Sequence, residues 1–141
     1  MNEDFVTYEI AKKLKDKGFN ETCLAYYTND NTLYYNFSHK AGACCIDCLL
    51  SHNLMPKDSV SGKFVDAPTT AQALKWLIKE KGIFVEISPA YIDITYYVSV
   101  YKNKNGRYFK HYISELKYKS YEQAAIAGIE YVLDNIIKEQ Q

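Results

Sequence analysis

His39, Cys44, Cys45, Cys48 and His52 form the one group of neighbouring side chains in this sequence with the types for metal or thiol chemistry. Thiolate and imidazole ligands suit zinc, and Cys45-x-x-Cys48 followed by His52 has the spacing of half a zinc site. A structural site needs four ligands presented around a turn. No Gly or Pro lies between Cys45 and His52, and Ile46, Leu49 and Leu50 suit the buried side of a short helix over residues 43–54. Cysteine is among the most buried residue types, so packing is the expected role, with Cys45, Cys48 and His52 kept as alternative metal ligands. A cysteine nucleophile needs a histidine within hydrogen-bond reach and an oxyanion site. Nothing in the spacing sets His39, His52 or His111 beside a thiol.

The chain has no Gly-x-x-x-x-Gly-Lys-[Ser/Thr] loop, no Gly-x-Gly-x-x-Gly, no His-Glu-x-x-His and no paired-carboxylate motif. Phosphate-cradling and metalloprotease readings therefore lack support. The expectation is a non-enzymatic protein with no catalytic residue and no cofactor.

The second candidate is a surface. Tyrosine is abundant, at 14 of 141 residues, and an AT-rich coding sequence or selection for an aromatic surface would each produce that count. Residues 94–101 alternate Ile94, Tyr96, Val98 and Val100 with Thr95, Tyr97, Ser99 and Tyr101, the period of a half-buried strand. With the apolar set inward, Tyr97 and Tyr101 face outward. The next run contributes either Tyr108, Lys110 and Tyr112 or Phe109, His111 and Ile113, and strand register decides which. Tyr97, Tyr101, Tyr108, Lys110 and Tyr112, with nearby Arg107, are the candidate binding surface, able to stack bases or anchor a protein partner. A cover of tyrosine-rich hairpin over that face is the competing expectation. The basic run Lys102, Lys104, Arg107, Lys110, Lys117 and Lys119 fits a turn and strand ends, where lysine guards against edge pairing.

These side chains must be positioned by elements whose boundaries are well marked. Thr7 to Lys17 predicts a helix with Ile10, Ala11 and Leu14 on its stripe and Lys12, Lys13, Lys15 and Lys17 in solvent, partnered by Glu9 and Asp16. Gly18 stops it, and Phe19 folds back on Leu14. Residues 23–27 and 32–37 flank Thr28-Asn29-Asp30-Asn31 as a hairpin. From residue 38 to 66 the pattern weakens to an irregular or short-helix connection. Thr69-Thr70-Ala71-Gln72 and Ser120-Tyr121-Glu122-Gln123 each start a helix. In the first, Leu74, Leu77, Ile78 and Ala71 are the expected inner stripe, with Trp76 at its border and Gly82 as the stop. In the second, Ala125, Ile129, Val132, Leu133 and Ile136 face the core, with Ile126 and Ile137 alongside. Gly128 marks close approach to the sheet or the other helix. Between the two helices, residues 83–87, 94–101 and 107–114 predict an antiparallel meander, turned at Asn103-Lys104-Asn105-Gly106.

Lysine plus arginine and aspartate plus glutamate both total 17, so no global field draws in nucleic acid or an anionic membrane. The start Met1-Asn2-Glu3-Asp4 is acidic and no apolar run follows, unlike a secretory signal. No segment approaches the ~20 apolar residues that span a bilayer, and the clustered cysteines differ from a secreted disulfide framework. The expected setting is the cytoplasm.

Helix, three antiparallel strands and helix over residues 68–138 resembles the double-stranded RNA-binding domain in element order. That family touches RNA through its first helix, a His-bearing loop and a lysine-rich second helix start. The corresponding loop here, Ser88-Pro89-Ala90-Tyr91-Ile92-Asp93, has no His or basic residue, and the second helix start carries Lys117 and Lys119 and then Glu122. The resemblance implies topology and not an RNA contact set. Residues 11–19 (Ala-Lys-Lys-Leu-Lys-Asp-Lys-Gly-Phe), Ala67-Pro68-Thr69 with Trp76-Leu77, and residues 121–125 (Tyr-Glu-Gln-Ala-Ala) with Gly128 resemble short uncharacterised proteins of Bacteroides-type gut bacteria and their phages and mobile elements. That resemblance implies a lineage, and it supplies no catalytic residues.

The expectation is an α+β protein. An N-terminal helix and hairpin (1–38) extend or cover the sheet, residues 39–66 connect, and 67–141 form an α-β-β-β-α core, making one compact unit with 1–38. Its expected role is a protein-interaction or regulatory module of bacterial or phage origin, with a protein partner or a second copy of itself, and no membrane. A nucleic-acid binder using the Tyr/Lys/Arg sheet surface is the alternative, followed by a Cys/His zinc site or cysteine enzyme.

Overall fold

Three hydroxyl side chains start three helices. Thr7 Oγ1 accepts from Ile10 N at 3.3 Å, Thr69 Oγ1 from Gln72 N at 3.1 Å and Ser120 Oγ from Gln123 N at 3.1 Å. Each satisfies an amide that the helix itself leaves unpaired. The computed structural model describes residues 5–35, 64–90, 93–115 and 117–137. It is α+β, with two three-stranded antiparallel sheets, and it divides into two units, residues 7–68 and residues 1–6 with 69–141.

In the unit of residues 7–68, α1 (Tyr8–Asp16) buries Ile10, Ala11 and Leu14 as the spacing predicts. It ends with Phe19 N donating to Leu14 O at 2.9 Å and Gly18 N to Lys15 O at 3.1 Å, the paired bonds of a Schellman close. Phe19 is buried. Lys12 meets Glu9 at 3.3 Å on the solvent side. The hairpin of β1 (Ala25–Thr28) and β2 (Leu33–Tyr35) pairs Tyr26 with Tyr34, and the two rings stack at 5.8 Å. At its turn Thr28 Oγ1 donates to Asp30, and hydrogen bonds from Thr28 and Thr32 hold the Asp30 carboxyl below its ordinary pKa.

A hairpin alone is marginal in water. A third strand, β3 (Phe64–Ala67), pairs with β1, so the sheet order is β2-β1-β3. Residues 64–66, expected in the connection, are thus part of a sheet. Phe64 meets the fully buried Tyr26 edge-on at 5.6 Å, and α1 packs against β3.

The other unit has the predicted order: α2 (Thr70–Lys81), β4 (Ile83–Pro89), β5 (Tyr96–Lys104), β6 (Arg107–Ile113) and α3 (Tyr121–Tyr131), whose last turn, Val132–Ile136, is π-helical. The sheet order is β4-β5-β6. Ile83, Val85, Val98 and Val100 are buried on the helix side. Asn105 and Gly106 make the β5–β6 turn, both at positive φ (55° and 81°), the conformation a two-residue hairpin loop requires. Gly128 brings α3 onto the sheet, since a Cβ there would lie 2.6 Å from Val85 Cγ1. The close approach expected for this glycine is therefore to the sheet.

Two expectations are corrected. The α2 stripe is rotated: Thr70, Ala73, Trp76 and Leu77 are buried, while Ala71 is exposed and Ile78 is 38% exposed. Apolar residues at 71, 73, 74, 76, 77 and 78 surround most of this helix, so their period leaves the buried side open, and Trp76 has the most apolar area to bury. Ile94, placed inward by alternation, is 91% exposed. It lies in a turn closed by Ala90 N donating to Thr95 O at 2.9 Å and Thr95 Oγ1 to Asp93 Oδ1 at 2.7 Å, and β5 begins only at Tyr96.

Candidate functional site

Antiparallel partners share a face, so the pairing register sorts the candidate residues. Phe84 pairs with Tyr101, Glu86 with Ser99 and Ser88 with Tyr97; across β5 and β6, Ser99 pairs with Ile113, Tyr101 with Lys110 and Asn103 with Tyr108. All of these alternate with the buried valines and lie on the sheet face away from α3, called the outer face below. At its centre the Phe84 ring lies 6.4 Å from Tyr101 and 6.1 Å from Tyr108, and Lys110 Nζ sits 5.7 Å from the Tyr101 ring centroid. Tyr108 is 47% exposed and Ile113 48%. Tyr97, Tyr101, Tyr108 and Lys110 therefore share one sheet face with Phe84 and Ile113.

Tyr112 and Arg107 are not on that face. The register shifts between Val100 and Tyr101, so that Val100 faces Tyr112 while Tyr101 faces Lys110. His111 is the extra residue, and a bulge of this kind reverses the alternation beyond it. The two sets expected from β6 are consequently mixed: Tyr108, Lys110 and Ile113 lie outside, with Phe109 and Tyr112 on the helix side. Tyr112 stacks on Tyr131 of α3, centroids 3.7 Å apart and planes 12° from parallel. Arg107 pairs with Lys104 at the hairpin end, on the register of the helix side. Lys117 of the basic run meets Asp93 at 3.8 Å.

On the helix side, Tyr112, Tyr118 and Tyr131 wall a cleft of about 280 Å³ whose rim carries Glu130, Asp134 and Asn135. Tyr118 is tied down by reciprocal backbone bonds to Tyr96, at 2.7 and 2.6 Å. Burial and the neighbouring Tyr112 push its phenol pKa up. Sequence reasoning passed over this cleft. The signal within reach was the four-residue spacing of Glu130 with Asp134 and of Tyr131 with Asn135, which sets each pair on one helix side.

His39, Cys44, Cys45, Cys48 and His52 lie outside the described residues. Among the described residues, no three His, Cys, Asp or Glu side chains are grouped to hold a metal ion, and Cys23 is buried. No described helix is long and apolar enough to cross a membrane. No family model, curated protein or solved structure matches this chain.

Proposed function

We propose that this chain is a non-enzymatic protein-interaction module that pairs with a second copy of itself through the outer face of the β4-β5-β6 sheet. The observation that carries this reading is the cluster of Phe84, Tyr101 and Tyr108 on a sheet face, with Ile113 beside it. Rigid aromatics supply much contact area for little lost side-chain freedom, and they anchor interfaces. A two-fold interface apposes one patch to itself and so must be self-complementary. This patch carries Lys110 and Glu86, opposite charges on one face in adjacent cross-strand rows, and the chain's zero net charge adds no self-repulsion. The resemblance to gut-bacterial and phage proteins supports a bacterial or phage setting.

The nucleic-acid reading has weaker support, because Lys110 is the one base on this face among the described residues and phosphate contacts supply most non-specific affinity. Light scattering of the purified 16.3 kDa chain at micromolar concentration is expected to return twice the chain mass. The Phe84→Ser/Tyr108→Ser variant is expected to be a folded monomer, since both side chains are on the surface. A native chain that stays monomeric, or a double variant that still pairs, refutes the reading. Binding of single-stranded oligonucleotide by that native monomer at low salt favours the alternative.

A further inference from the structure

The geometry points to the open edge of β6 as a docking strand for an extended acidic segment of another protein. Two residues define that edge. In an antiparallel ladder, successive residues of a strand turn their N–H and C=O groups alternately to its two sides. Asn103 N donates to Gly82 O at 2.8 Å, on the β4 side of β5, so the Asn103–Tyr108 pair exchanges no hydrogen bonds and Tyr108 turns its backbone groups away from β5. Lys110, paired with Tyr101, follows two residues on and does the same. Among the described residues, no strand pairs with that side of β6. The strand also stands clear of the helix layer. α3 packs on β4 and β5, and six of the seven residues Arg107–Ile113 are exposed. Phe109 is 53% exposed on the helix side, and Tyr108 is half-exposed on the other. An edge strand with apolar side chains accessible on both faces is a template for one more strand.

Charge selects the occupant. Between Lys102 and His111 the chain carries Lys104, Arg107 and Lys110 and no acid. Glu86 is on β4, at the opposite edge of the sheet, and Glu115 lies beyond the bulge. The Tyr101 ring beside the Lys110 ammonium carries no charge and leaves its field intact. A second β6 would bring the same basic set alongside, and like charges across a ladder destabilise it. An acidic strand reverses that sign. The bulge at His111 interrupts a regular ladder beyond Lys110, so the docking stretch is Arg107–Lys110. Carboxylates fit opposite Arg107 and Lys110, and aliphatic side chains opposite Tyr108 and Phe109.

Amide NMR of the full chain, titrated with acetyl-Thr-Glu-Val-Val-Glu-Thr amide, tests the edge. This peptide is expected to shift the amides from Arg107 to Lys110 saturably and to slow hydrogen exchange at Tyr108 and Lys110, the two that point away from β5. The fully N-methylated peptide, which has no backbone donor, should bind at least about tenfold more weakly, and the peptide with Lys in place of Glu should not bind. Light scattering under the same conditions reads self-pairing separately. Peptide binding by a monomer upholds this inference and refutes the outer-face dimer, and a dimer that ignores the peptide does the reverse. The proposal is overturned if the acidic peptide does not saturate, if either control binds as well, if a single-stranded oligonucleotide shifts the same amides equally, or if the Tyr108 and Lys110 amides are already protected without peptide.

Discussion

An ideal Cβ on Gly128 would lie 2.6 Å from Val85 Cγ1 and 3.0 Å from Val98 Cγ1. Both atoms belong to β-branched side chains on strands, which have little rotamer freedom with which to yield. Gly128→Ala gains about 1 kcal/mol in helix propensity, but overpacking costs about 1–3 kcal/mol. The steric effect wins, and urea unfolding of Gly128→Ala should show a lower midpoint than that of the native chain. Thr70 presents the opposite case. Its Oγ1 is buried with no hydrogen-bond partner among the described residues, and an unsatisfied buried hydroxyl costs about 1–3 kcal/mol. Thr70→Val keeps the shape and removes the polar atom, so it should raise stability by about 1 kcal/mol, read as a higher unfolding midpoint. Neither effect is visible in the one-letter code, because each depends on which atoms lie opposite.

At the scale of elements, β6 is held differently along its length. Beyond the bulge at His111 its ladder is continued by a side chain: Ser114 N donates to Val98 O at 2.8 Å while Val98 N donates to the buried Ser114 Oγ at 2.9 Å. Ser114→Ala strands the Val98 amide in the core and should cost about 1–3 kcal/mol. Loss of hydrogen-exchange protection at Val98 before that at Val85 would locate the damage at this end of the sheet. Helix starts, helix stops and the Asn105-Gly106 turn were legible in the sequence because each depends on a neighbour a few residues away. The bulge was not, since a shifted register is a property of two strands. Phe64–Ala67 was also missed, being four residues with too short an alternation to read. The buried side of α2 went unseen for a different reason, the near-continuous apolar surround from Ala71 to Ile78.

For the whole molecule, the proposed pairing rests on aromatic and aliphatic area with a few exposed charges. Such charges are worth about 0–1 kcal/mol each. Raising salt from about 0.1 M to about 1 M shortens the screening length from about 10 Å to about 3 Å, and the dimer fraction should nonetheless hold or rise. A dimer that dissociates in high salt would show that charge, and not the Phe84–Tyr101–Tyr108 cluster, holds it. By composition and local pattern alone, the chain specified an α+β protein, three helices with capped starts at two of them, and a meander of strands with valines on one side, because caps, turns and periodicity are short-range physics. Which tyrosines share a surface was decided only in three dimensions. One inserted residue at His111 sends Tyr112 inward to stack on Tyr131 and leaves Tyr108 and Lys110 outside, and that outcome depends on pairing between strands that no local pattern encodes.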